Sequence, residues 1–377
     1  FRFCLSLQGN TVNIHLNLKF SLRHAILARH ERAIALEPPV NSAKDSNTRL
    51  AVIGGGSWGT TLASLVSRNA QVTLWARDAD VVREINDTHT HARYLKGLSL
   101  NPLLRATTDL ETALCNAHAV FIAIPSHMFR SVFERVAPLV PAGVPIISMT
   151  KGLEASTQKR MTEIIREFCP QHPIGVLSGP NLAKEILTGK AAASVLALDD
   201  PAAQWLQPTL NVGLFRVYHN DDVTGCELGG VLKNIIALAV GLGDGLGAGD
   251  NTRAALITRG LAEATRLGTA LGGRQETFAG LAGMGDMIAT CTSAQSRNRY
   301  VGLELATGKT VEEITNAMNM VAEGVKSAAT VVALAKQHGV KVPICQEMYR
   351  ILEGQADATR VYRGLLRVVA GAESEPG

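Results

Sequence analysis

Gly54, Gly56 and Gly59 are spaced as G-x-G-x-x-G, directly after the apolar run 50–53 and directly before Thr60-Thr61-Leu62-Ala63-Ser64-Leu65-Val66. A glycine loop between a buried strand and a helix start is suited to the pyrophosphate of a dinucleotide. Gly54 allows the tight turn, Gly56 lets a phosphate approach the backbone, and Gly59 lets the helix pack close to the strand. The N–H groups of the helix's first turn then face the phosphates. Lys151 follows another apolar run, in Thr150-Lys151-Gly152, so a strand would deliver it to the same edge. Lys233 interrupts an apolar helical pattern, Leu228, Val231, Leu232, Ile235, Ile236, Leu238 and Ala239. A lysine there must snorkel, pair or serve a cleft. Burial beside a cofactor lowers a lysine's pKa, which makes it a proton donor near neutrality. If 286–290 is helical, Asp286 and Thr290 share one face. Arg297 and Asn298 bring a forked cation and an amide, a combination suited to a phosphate ester.

The elements that must position these groups come in two kinds. Short apolar runs at 50–53, 72–76, 119–124, 145–150, 174–177 and 193–198 alternate with helical stretches. That pattern predicts a Rossmann-like, doubly wound parallel sheet, whose ligands sit at the carboxyl ends of the strands. The rule points to the loops at Gly54, Arg77, Pro125, Lys151 and Ser178. After about residue 221 the strand signal stops, and an all-α second domain is expected, with helices at 227–240 and 252–269. The run 241–251 is too rich in glycine for regular helix and is expected to be a tight loop. The division is therefore 48–220 for dinucleotide binding and 221–365 for substrate and catalysis, with a tail at 366–377.

The second strand ends in Arg77-Asp78. An acid at that point suits the ribose hydroxyls of NAD; an arginine suits the 2′-phosphate of NADP. Arg77 comes first, and Asp78 competes with Asp80 to cap the next helix, so NADP(H) is favoured over NAD(H).

A chain that is 46% hydrophobic and 19% charged has the make-up of an ordinary globular protein. No stretch approaches the roughly 20 uninterrupted apolar residues of a membrane span. Six scattered cysteines with no close pair argue against a zinc knuckle or a disulfide framework and suit a reducing cytosol. The net charge of +4 lies entirely within residues 1–44, where six basic residues face two acids. The remainder is balanced, so no basic face for nucleic acid is expected. Residues 1–47 open on Phe1, are poor in acids and end in a Pro-, Asn- and Ser-rich linker. They are expected to be a disordered or non-native extension, although their composition could also mimic a transit peptide.

Taken together, AVIGGGSWGTTLA, SMTKGLE, SGPNLAKEI, ELGGVLKNIIALAVGLGDGLGAGDN, TRAALITRGLAE, LAGMGDMIATCTSAQSRNR and VAEGV occur in the order of the bacterial-type NAD(P)-dependent glycerol-3-phosphate dehydrogenases, which this chain resembles over about 49–365. The resemblance implies the following roles. Ser57 and Trp58 sit in the phosphate loop, and Arg77 reaches the adenosine ribose or its phosphate. Lys151 contacts cofactor and substrate, and Gly179 and Ala183 line the cleft between them. Lys233 is the catalytic acid/base, with Lys151 adding positive potential. Asp286, Ser296, Arg297 and Asn298 bind substrate, Arg297 also lies near the cofactor, and Thr290 helps arrange the pocket. Val321 and Glu323 close over the nicotinamide side. Asn181 is a departure, since the family more often has serine or threonine after Gly-Pro.

The implied reaction is reversible reduction of dihydroxyacetone phosphate to sn-glycerol 3-phosphate, feeding phospholipid synthesis, by a cytoplasmic homodimer without a metal. Asp286 should bond either Lys233 or a substrate hydroxyl. Two alternatives stay open at this point: another two-domain hydroxyacid dehydrogenase, and a nucleotide sensor without turnover.

Overall fold

The computed structural model describes residues 47–318 and 322–358. The expectations for 1–46, Val321 and the tail at 366–377 lie outside the described residues.

The first half alternates strand and helix. In chain order it runs β1 (Arg49–Ile53), α1 (Ser57–Val66), β2 (Gln71–Trp75), α2 (Ala79–Thr88), α3 (Ala92–Leu95), β3 (Arg105–Thr107), α4 (Leu110–Leu114) and β4 (Ala119–Ile122). It continues through α5 (Phe129–Val136), β5 (Ile146–Ser148), α6 (Met161–Phe168), β6 (Ile174–Ser178), α7 (Ala183–Leu187), β7 (Ala192–Ala197), α8 (Ala203–Leu210) and β8 (Phe215–Asn220). The strands form one eight-stranded sheet in the order β3-β2-β1-β4-β5-β6-β7-β8. Its central strands are apolar on both faces: Leu50 and Val52 join one core, Ala51 and Ile53 the other.

Register decides where the loops emerge. Ile53 pairs with Trp75 and Ile122, and Ile122 pairs with Ser148. The carboxyl ends of β1, β2, β4 and β5 therefore form one row, and the chain leaves that row at Gly54, Arg77, Pro125 and Lys151.

The sheet departs from the all-parallel expectation at one place, because β7 runs antiparallel to β6. The connection 179–191 holds only the five-residue α7, too little to carry the chain back across the sheet. Strands β3 and β8 also escaped the sequence reading. β3 has three residues, and β8 alternates buried Phe215 and Val217 with exposed Arg216 and Tyr218 at the sheet edge.

The second half is helical: α9 (Val223–Gly245), α10 (Asp250–Ala270), α11 (Gln275–Phe278), a π turn at Leu281–Gly285, α12 (Asp286–Thr292), α13 (Arg297–Leu305), α14 (Val311–Ala317), α15 (Glu323–Gln337) and α16 (Pro343–Leu352). α9 is its axis. Nineteen consecutive residues, Gly225 to Gly243, are buried. It is long and apolar enough to pass as a membrane span, but 89% of the relevant window lies inside the protein.

The expected loop at 241–251 is corrected here: helix continues to Gly245, and only 246–249 break it. The glycines serve packing rather than turning. A Cβ on Gly241 would strike the Arg299 carbonyl, one on Gly245 the Ala306 side chain, and one on Gly302 the Leu238 carbonyl. Helices α9 and α13 therefore cross with their backbones nearly touching. Asp244 then fixes the crossing, accepting from Arg253 on α10 at 2.9 Å and Arg299 on α13 at 2.8 Å.

The two halves are joined by a buried carboxylate. Glu227 of α9 accepts from the Thr162 N–H at 3.0 Å and from Arg160 at 3.1 Å at the start of α6. Burial pushes its pKa up, while Arg160 and Thr162 oppose the shift.

Candidate active site

The first turn of α1 is prepared for an anion. Its N-cap is Gly56, no side chain caps it, and no acid lies in the first turn. The three glycines divide the work as expected. Gly54 adopts φ +125°, and a Cβ there or on Gly59 would collide with backbone, whereas a Cβ on Gly56 would meet nothing within 4 Å. Gly56 faces open space on which a phosphate can settle. Trp58 packs edge-on against Phe215 with ring centroids 6.2 Å apart, and its buried indole N–H has no partner among the described residues. These features fit a dinucleotide pyrophosphate.

Arg77 is exposed just past β2, while the neighbouring Asp78 accepts the Asp80 N–H at 2.9 Å as the N-cap of α2. Asp78, not Asp80, is the cap.

Lys151 reaches from the β5 edge to the helical half. Gly230 of α9 makes room for it: a Cβ there would lie 3.2 Å from the lysine's Cγ. The Lys151 Nζ donates to the Gly179 carbonyl at 2.8 Å and to Asp286 Oδ2 at 2.5 Å. Lys233 Nζ lies 2.9 Å from Asp286 Oδ1 and donates to Thr290 Oγ1 at 2.6 Å. The Thr290 hydroxyl faces Asp286 Oδ1 at 3.3 Å, so the expected shared face of α12 is real. One carboxylate therefore bridges two ammonium groups. Side-chain exposure is 3% for Asp286, 7% for Lys233 and 19% for Lys151, so little water screens the trio. Of the two roles considered for Asp286, the bond to Lys233 is present; the bond to Lys151 was not anticipated. Burial, with the Lys233 charge adding to it, brings Lys151 down to about 8, although Asp286 pulls the other way.

The helix start of α13 stands beside this trio. Ser296 caps it by accepting the Arg299 N–H at 3.2 Å, and Arg297 opens the helix on the exposed side. Burial depresses the Arg297 pKa, and the Glu323 carboxylate opposes the shift. Asn298 is buried, with its Oδ1 accepting the Gly324 N–H at 3.0 Å and its Nδ2 donating to Asn234 at 2.9 Å. Glu323 in turn accepts the Ser126 hydroxyl at 2.6 Å, which ties α15 to the loop after β4. Asn181 donates to Ser194 at 3.1 Å and keeps a buried Oδ1 without a partner among the described residues, while Ala183 opens α7 half-buried beside it.

Sequence reasoning missed Ser126, Gly230 and Asn234. Only Asn234, adjacent to Lys233, carried a usable signal: a second polar residue inside an apolar helix.

Comparison with known proteins shows which family the chain belongs to. The model of the NAD-dependent glycerol-3-phosphate dehydrogenase N-terminus matches residues 49–204, and that of the C-terminus matches 222–363. A glycerol-3-phosphate dehydrogenase (NAD(P)+) of Sphingopyxis alaskensis is 58% identical over 330 residues, covering 87% of this chain and 99% of that one. One from Mycobacterium tuberculosis is 46% identical over 334 residues, covering 88% and 98%. The crystal structure of a glycerol-3-phosphate dehydrogenase from Coxiella burnetii superposes with a TM-score of 0.81 at 39% identity, covering 85% of this chain and 99% of that one. The chain that carries this lysine–aspartate–lysine centre belongs to the NAD-dependent glycerol-3-phosphate dehydrogenase family.

Proposed function

We propose that the chain interconverts dihydroxyacetone phosphate and sn-glycerol 3-phosphate. The observation that carries the proposal is the pair of buried lysines on Asp286, placed where the strand ends meet the helical half. Bound NAD(P)H supplies the hydride. Gly54, Gly56, Ser57, Trp58 and Gly59 would hold its pyrophosphate, Arg77 its adenosine end, and Ala183, Arg297, Val321 and Glu323 its remainder.

As C2 of the substrate is reduced, negative charge grows on its oxygen. Lys233 stabilises that charge and delivers the proton, and Lys151 adds its field in the same low-dielectric site. Asp286 holds both ammonium groups in place. Arg297, Asn298 and Ser296 take the phosphate, which orients the carbonyl. Gly179, whose carbonyl accepts from Lys151, and Asn181 would line the cleft, and Thr290 orders Lys233 by accepting from its ammonium. The same proposal makes the protein a cytoplasmic homodimer that supplies phospholipid synthesis.

The test is absorbance at 340 nm with dihydroxyacetone phosphate, run with NADPH and with NADH. Oxidation of either supports the enzyme, and none from a folded, nucleotide-binding sample contradicts it. Because Asp78 is engaged as a cap, Arg77 is left for a 2′-phosphate. NADPH should therefore be preferred, and R77A should reduce kcat/KM with NADPH by roughly ten- to a hundredfold while sparing NADH, the scale of one lost charged hydrogen bond. Equal losses with both cofactors would return Arg77 to the surface.

A further inference from the structure

We propose that His91 is a positioning residue that sets the glycine-rich loop for its anion. The inference rests on reading 54–59 as the pyrophosphate cradle.

His91 is fully buried, one residue before α3. Its Nε2 lies 2.9 Å from the Gly55 carbonyl oxygen. A carbonyl only accepts, so Nε2 carries the hydrogen and donates. The other ring nitrogen, Nδ1, is buried without a partner among the described residues. The ring therefore makes one hydrogen bond, and that bond goes to the loop.

The bond acts through peptide geometry. The Gly55 carbonyl and the Gly56 N–H are opposite ends of one trans peptide, so they point in opposite directions. Holding the carbonyl on His91 aims the Gly56 N–H away from it. This peptide has glycine on both sides, so side-chain sterics do little to stop it rotating. Gly55 is boxed in, since a Cβ there would come within 2.5 Å of the Ala76 Cβ. Gly56 is the open side. His91 thus supplies a restraint that the glycines give up in return for phosphate access.

The imidazole is itself held. The Ala92 N–H donates to Glu84 at 2.5 Å, and the Leu95 N–H donates to the His91 carbonyl at 2.8 Å. The ring lies 5.2 Å from that of Tyr94, over which the Arg93 guanidinium stacks. The site reading leaves His91 without a role, and packing alone does not require a donor aimed at Gly55.

The test compares H91Q, which can present an N–H at similar reach, with H91M, which fills comparable space without a donor. NADPH binding is followed by its own fluorescence, without substrate. H91M should raise the Kd about tenfold, the scale of one lost hydrogen bond, and H91Q should stay within about threefold of the unchanged protein. The kcat at saturating NADPH should stay within about twofold in both. If H91M does not fold, H91F keeps the ring and its contact with Tyr94 but lacks the donor, and should weaken binding as H91M would. Undiminished binding by the donor-less variant overturns the inference, as does H91Q binding as weakly as that variant. Failure of the unchanged protein to bind NADPH would instead overturn the cradle reading beneath it.

Discussion

K233A is expected to lower kcat for dihydroxyacetone phosphate reduction by about 10³-fold with a much smaller change in KM, the scale of a lost general acid. Lys233 is held by Asp286 and Thr290 on a helix whose surroundings are almost entirely buried, so its ammonium is placed without a search. Alanine removes both the proton donor and the charge facing the developing oxyanion. Steady-state kinetics on a variant whose melting temperature is unchanged give the number. Small primary amines should restore part of the rate, because a diffusible ammonium can enter the space vacated by the side chain. A loss confined to KM would make Lys233 a binding group only.

D286N should be nearly as damaging for a different reason. Asparagine keeps the shape but leaves Lys151 and Lys233 close together without a counter-charge. Breaking one side of a buried ion pair costs about 3–5 kcal/mol when the remaining charge stays, and here the trio can avoid part of that by releasing a proton. Lys151, already brought down to about 8, would move lower still. At pH 7 kcat should fall roughly 10²-fold, a typical proton-transfer contribution, and lowering the pH should restore part of it. A D286N enzyme with an unshifted pH profile would show that the carboxylate acts on the substrate instead.

Much of this site was legible because each functional residue broke a local pattern. Lys233 interrupts an apolar helix, Lys151 ends an apolar strand, and three glycines sit between a strand and a helix. Asp286 and Thr290 showed their shared face by spacing alone, and helix there makes the spacing matter. What sequence could not give was convergence. That Asp286 would bind Lys151, which lies 135 positions away, depends on α9 passing the strand edge with a glycine at 230.

The misreadings have equally local causes. Glycine density at 241–251 reads as a loop signal in the sequence, because intrinsic preference says nothing of a partner helix that needs bare backbone. β3 is too short and polar to stand out, and β8 alternates at a period of two, a weaker signal than the continuous apolar runs of the central strands. Ser126 matters only through Glu323, which is remote in sequence.

The central claim is that Lys151, Asp286 and Lys233 manage the proton of a carbonyl reduction. The most direct test is kcat/KM from pH 6 to 10 in both directions, reduction of dihydroxyacetone phosphate and oxidation of sn-glycerol 3-phosphate. Burial depresses Lys151 to about 8, so above that pH the lysine pair on Asp286 holds one proton fewer, one it can no longer give in reduction and can take up in oxidation. Reduction should fall as pH rises through about 8, while oxidation, which needs a group free to take a proton, should rise through the same pH. Profiles that move in the same direction, or that stay flat across this range, would contradict the assignment of the lysine pair to proton handling.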